Sequence, residues 1–86
     1  MAYALVIKQQ ARKKIQSLSR VDRVRVTEQL TLLGLNPDDP ELDIKKLVGE
    51  PYYRLRIGNW RVIFDRHDQV KIIAIEKIKA RGDVYK

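Results

Sequence analysis

The segment Tyr53-Arg54-Leu55-Arg56-Ile57-Gly58-Asn59-Trp60-Arg61-Val62-Ile63-Phe64 constrains this chain more than any other. Two strand-like runs flank Gly58-Asn59, a two-residue hairpin signal in which glycine supplies the positive φ. A turn of that length sets the pairing by arithmetic. Ile57 opposes Trp60, Arg56 opposes Arg61, Leu55 opposes Val62, Arg54 opposes Ile63 and Tyr53 opposes Phe64. Alternation then sorts the side chains. Tyr53, Leu55, Ile57, Trp60, Val62 and Phe64 share an apolar face, and Arg54, Arg56 and Arg61 share the other.

The rest of the chain reads as an α+β arrangement in one domain spanning residues 1–86. Tyr3 to Ile7 suits a short strand. Gln9 to Leu18 places Ala11, Ile15 and Leu18 at helical spacing. Ser19 is a candidate N-cap for a second helix, with Asp22 in its first turn and a stripe of Val26, Leu30 and Leu33. Asn36-Pro37 stops that helix, because the residue before proline avoids the α region. Asp43 to Leu47 is expected to hold a short helical turn. Three strands follow, Tyr52 to Ile57, Trp60 to Asp65 and Val70 to Ile78, as an antiparallel meander.

Composition narrows the function. Eighteen Lys and Arg against eleven Asp and Glu give a net charge of +7. Residues 1–53 carry a net of only +2 and residues 54–86 a net of +5, so the basic character belongs mostly to the C-terminal part. That surplus implies a polyanionic partner, nucleic acid or an acidic protein. There is no cysteine, hence no disulfide and no thiolate metal site. No apolar run approaches the ~18 residues of a membrane helix. The opening Met1 to Ile7 lacks a basic n-region and a cleavage site, so no secretory leader is expected. The sequence holds neither a glycine-rich phosphate loop nor a nucleophile elbow. His67, the only histidine, falls in the polar stretch Asp65-Arg66-His67-Asp68, expected to be a solvated turn. Asp38, Asp39, Glu41 and Asp43 make a weak metal set without His or Cys, and no metal or other cofactor is expected.

The opposed arginines carry the functional reading. Like charges directly opposite on a sheet cost up to ~1 kcal/mol. The plain explanation is a solvated face, or neutralisation by Asp65 or Glu76. The sharper one is an anion site: guanidinium forks suit phosphate oxygens, and Arg54 and Arg56 lie ~6.6 Å apart along their strand. On that view, removing Arg56 or Arg61 leaves thermal stability unchanged or slightly raised. Lys77, Lys79, Arg81, Tyr85 and Lys86 add basic side chains and one ring able to stack on a splayed base.

These residues resemble the RelE/ParE superfamily of bacterial toxin–antitoxin toxins. The resemblance rests on the element order, on Lys46-Leu47-Val48-Gly49, on the hairpin pattern Tyr53 to Phe64 and on the closing Asp83-Val84-Tyr85. It implies a microbial-ribonuclease-like sheet with the helices packed on one face. The RelE branch implies a cytoplasmic endoribonuclease that cuts mRNA in the ribosomal A site. The attack there is by the RNA's own 2′-OH, with no metal required. It also implies an acidic antitoxin that wraps the toxin, and operator DNA bound only through the antitoxin complex. The ParE branch implies instead a DNA gyrase inhibitor. An RNA-binding RelE homologue without activity is a third alternative.

Carried over residue by residue, the resemblance places Arg54, Arg56 and Arg61 on the phosphate, Lys79 or Arg81 as the tail's basic residue, and Tyr85 as the closing aromatic. The best-known RelE has lysines where this chain has Arg54 and Arg56, and other branches use a C-terminal histidine that this chain lacks. Arginine stays protonated and cannot serve as a base. Proton transfer then falls to Lys79, or to the ribosome and water.

Overall fold

The computed structural model describes residues 2–80. Arg81 and Tyr85 therefore lie outside the described residues. The chain runs β1 (Ala4–Ile7), α1 (Gln9–Ser17), α2 (Arg20–Leu35), β2 (Asp43–Lys46), β3 (Tyr53–Ile57), β4 (Trp60–His67) and β5 (Ile72–Ala80). The five strands form one sheet in the order β1-β5-β4-β3-β2. Strands β2 to β5 are antiparallel neighbours, and β1 joins the far side parallel to β5. No helix is long and apolar enough to cross a membrane among the described residues.

The helix ends follow the local chemistry. Ser19 Oγ accepts the Asp22 N–H at 3.3 Å, satisfying one of the free donors of α2. At the other end Asn36 donates its N–H to Leu32 O, and its Oδ1 accepts the Asp38 N–H at 3.0 Å, which carries the chain past Pro37. Gly34 lets α2 lie directly on β1. A Cβ there would meet Leu5 Cγ at 3.2 Å, and Tyr3 N–H donates to Gly34 O at 2.6 Å.

One sheet face meets the helices. Leu55, Ile57, Val62, Phe64, Ile73, Ile75 and Ile78 pack there against Ala11, Leu18, Val26, Leu30 and Leu33, all buried. The hairpin register is the one the turn arithmetic predicts, from Ile57↔Trp60 to Tyr53↔Phe64. Gly58 has φ of 57°, the left-handed conformation the turn requires.

Two sequence expectations change. Asp43 to Leu47 is no helical turn: residues 43–46 form the edge strand β2, with Asp43 opposite Arg56 and Lys45 opposite Arg54. Four residues cannot hold a helix against a neighbouring strand that satisfies their backbone groups. The antiparallel run thus has four strands. Likewise Asp65-Arg66-His67 belongs to β4, and the turn lies at residues 68–71 with Lys71 at a φ of 55°. Pairing with Ile72 to Ala74 extends β4, so the last strand starts at Ile72 and not at Val70.

The ladder between β4 and β5 carries a bulge. Ile63 pairs with Lys77 and Phe64 with Ile75, which leaves Glu76 as the extra residue. This shift in phase lets Ile73, Ile75 and Ile78 all reach the core although 75 and 78 are three apart.

Candidate functional site

The sheet face opposite the helices collects the basic residues in two rows. In the first, Asp43, Arg56, Arg61 and Lys79 are successive register partners across β2, β3, β4 and β5. In the second, about 6.6 Å along the strands, Lys45, Arg54, Ile63 and Lys77 are partners in the same way. Six cations and one carboxylate make up the two rows. Arg54, Arg56, Arg61 and Lys79, four of the expected site residues, are thus brought together.

The bulge decides the contribution of β5. With a regular ladder continued from Phe64↔Ile75, Lys79 would stand opposite Trp60 on the helix side. The extra residue moves it opposite Arg61. Sequence reading missed Lys45 as a member of this face and named Lys77 only among the basic residues of the chain's end. The signal for Lys77 was the apolar spacing Ile73, Ile75, Ile78, which breaks period two at Glu76. Lys45 had no such signal, because an edge strand of four residues carries little pattern.

Arg61 is the unusual member. It lies on the central strand and is only 4% exposed. Its Nη1 donates to Gly58 O and to Trp60 O, both at 3.1 Å, so the side chain is held against its own hairpin turn. Its Nε is buried with no hydrogen-bond partner. A guanidinium taken out of water without a carboxylate is costly. The expectation that Arg61 can be removed without loss of stability runs against its two hydrogen bonds to the turn; Arg56 is exposed.

Asp65 does not neutralise these arginines: its Oδ2 is 3.1 Å from His67 Nε2. Among the described residues, Arg56, Arg61 and Lys79 form no ion pair. Arg66 contrasts with them. Its Nη1 and Nη2 grip both oxygens of Asp38 at 2.8 and 3.1 Å, and its Nε donates to Asp68 at 2.6 Å. Tyr3 Oη donates to Asp68 at 2.8 Å. The guanidinium holds both carboxyls below the ordinary carboxylate value. These hydrogen bonds to Asp38 in turn raise the Arg66 pKa. Asp38, read in sequence as part of a weak acidic cluster, ties the loop after α2 to β4.

The turn end of the sheet is basic on the helix side too. Lys14 Nζ lies 5.2 Å from the centre of the Trp60 ring. A Cβ on Gly58 would meet Arg25 Nη1 at 3.0 Å, so the Arg25 side chain of α2 lies over the turn.

What this arrangement can do chemically is hold an oxyanion. Arg61 is oriented from below and flanked by Arg56 and Lys79, and arginine forks match phosphate oxygens. None of the three arginines can accept a proton.

No protein-family model matches the sequence, and a search of curated proteins returns no match. Solved structures do match. The RelE chain of the archaeal RelE–RelB complex from Pyrococcus horikoshii is 36% identical, with a TM-score of 0.84 over 96% of this chain and 99% of that one. The RelBE toxin–antitoxin complex of Escherichia coli matches at 19% identity and a TM-score of 0.77, covering 95% of this chain and 99% of that one. The toxin–antitoxin complex RelBE2 of Mycobacterium tuberculosis matches at 18% identity and a TM-score of 0.77, covering 96% and 95%. The last two likenesses are of fold alone. The first, with its identity spread over nearly the whole of both chains, goes further: this chain belongs to the RelE family of toxins.

Proposed function

We propose that this chain is the toxin of a toxin–antitoxin pair and acts as an endoribonuclease on mRNA in the ribosomal A site. The observation that carries the reading is the row Arg56, Arg61 and Lys79 across three neighbouring strands, none of them ion-paired among the described residues. Such a row is suited to a phosphate that arrives from outside.

The reaction follows from what such a site can and cannot do. The RNA's 2′-oxygen attacks the adjacent phosphorus, the 5′-oxygen leaves, and the products are a 2′,3′-cyclic phosphate and a 5′-hydroxyl. Charge builds on the non-bridging oxygens as the attack proceeds. Arg54, Arg56 and Arg61 stabilise it there, and such preorganised charge supplies several kcal/mol. The arginines move no proton. That role falls to Lys79, which its register position opposite Arg61 supports, or to the ribosome and water. Arg81 and Tyr85 complete the set as a further cation and a stacking ring. The matched RelE chains of Pyrococcus horikoshii and Escherichia coli were solved in complex with RelB, which supports an antitoxin partner for this chain. An acidic antitoxin would cover the two basic rows, and operator DNA would be met through it.

Transcript ends mapped in a translation extract containing the purified protein test this reading. Cuts confined to ribosome-bound message, and lost in Arg61→Ala, are expected. Intact message together with inhibited gyrase–DNA complexes would replace it with the ParE-like alternative.

A further inference from the structure

Between α1 and the end of β5 lies a concavity of about 380 Å³, separate from the flat of the sheet. Its polar lining is Gln10, Lys13, Lys14, Ser17 and Lys79, with no acidic residue among the described ones. The helix behind it carries Arg12, Lys13 and Lys14 and no carboxylate. Ser17 Oγ donates to Lys14 O at 2.7 Å, which leaves its oxygen to accept. Three ammonium groups on one small cavity repel one another, and no described carboxylate offsets them. Lys14 is held in place by the Trp60 ring.

Lys79 gives the cavity its meaning. It lines the concavity and is also the register partner of Arg61 in the first basic row. The cavity and the row therefore adjoin at Lys79, at the end of β5. Ammonium groups are point charges that accept a phosphate from many directions, whereas the arginine forks beside them orient one.

Resting on the reading of the sheet face as an RNA site, we infer that this cavity is a second phosphate subsite. It holds the RNA backbone phosphate next to the one seated on the Arg56–Arg61–Lys79 row. The RNA strand then leaves the sheet across the end of β5 and over α1. An acidic protein segment is the competing occupant. The adjoining row favours RNA, because a single polynucleotide supplies successive anions to both.

The test is fluorescence anisotropy with RNA that carries 2′-O-methyl on every ribose and so is not cut. Two lengths are used, a dinucleotide with one phosphate and a strand of about twelve nucleotides. For the longer strand, Lys13→Ala/Lys14→Ala should weaken binding about tenfold and lower the slope of log K against log salt by about 0.7, the value for one lost phosphate contact on single strands. Dinucleotide binding should not change, whereas Arg56→Ala should weaken both lengths. Because Lys14 touches Trp60, the exposed Lys13→Glu serves as a second variant, with an unchanged melting temperature as its control. Lysine variants that keep wild-type slope while binding still depends on Arg56 would overturn the subsite and leave the sheet site standing. Binding that ignores Arg56 as well would overturn both. Variants that lose an acidic peptide and keep RNA would reassign the cavity to protein docking.

Discussion

Arg61 on β4 stands directly opposite Lys79 on β5, and it does so because Glu76 bulges out of the ladder between them. The pairing joins a buried arginine to a second cation. It closes a row of three cations on three neighbouring strands.

Arg56 and Arg61 are opposed in register but should answer differently to truncation. Arg56→Ala removes an exposed charge that faces another, so the thermal midpoint should stay level or rise slightly. Arg61→Ala removes two hydrogen bonds to turn carbonyls and should cost about 1 kcal/mol or more, a midpoint drop of at least about 4 °C. Both should lower mRNA cleavage by about tenfold or more. Thermal unfolding followed by circular dichroism checks the contrast; equal midpoints in the two variants would place Arg61 in solvent.

The core face predicts the opposite pattern. Leu55 is wholly buried under the helices, and Leu55→Ala should cost roughly 2–5 kcal/mol in denaturant unfolding. Trp60 is only partly buried at the end of the sheet, so Trp60→Ala should cost less than Leu55→Ala. A greater loss at Trp60 would mean that the ring supports more of the core than its exposure shows.

Acid should lower stability through the two carboxylates that Arg66 holds. Asp38 and Asp68 have folded pKa values below their ordinary 3.8, held there by hydrogen bonds from Arg66. Their support is therefore complete above the unfolded value and is lost as pH falls through the depressed folded values. Stability measured between about pH 5 and pH 2 should decline less steeply in Asp38→Asn/Asp68→Asn than in the parent. Parallel curves would show that neither carboxylate is linked to folding.

Proton transfer can be assigned by its pH dependence. Arginines do not deprotonate near neutrality, so any rise in single-turnover cleavage with pH belongs to another group. Lys79→Ala should flatten that rise while message still binds. An unaltered profile would hand the proton to the ribosome or to solvent.

Local pattern set the hairpin, its register and the sorting of Leu55, Val62 and Phe64 from Arg54, Arg56 and Arg61, because a two-residue turn and a period of two leave no freedom. It also determined the Ser19 cap and the stop at Asn36-Pro37, which depend on neighbours within a few residues. Non-local pairing makes Asp43–Lys46 a strand, since its backbone partners lie seven to thirteen residues away on β3. The same holds for the bulge at Glu76, which exists only against β4 and turns Lys77 and Lys79 to the basic face. The burial of Arg61 was equally hidden. Local pattern places a residue on a face, but how much water reaches it depends on which strands flank it, and Arg61 lies on the central strand of five.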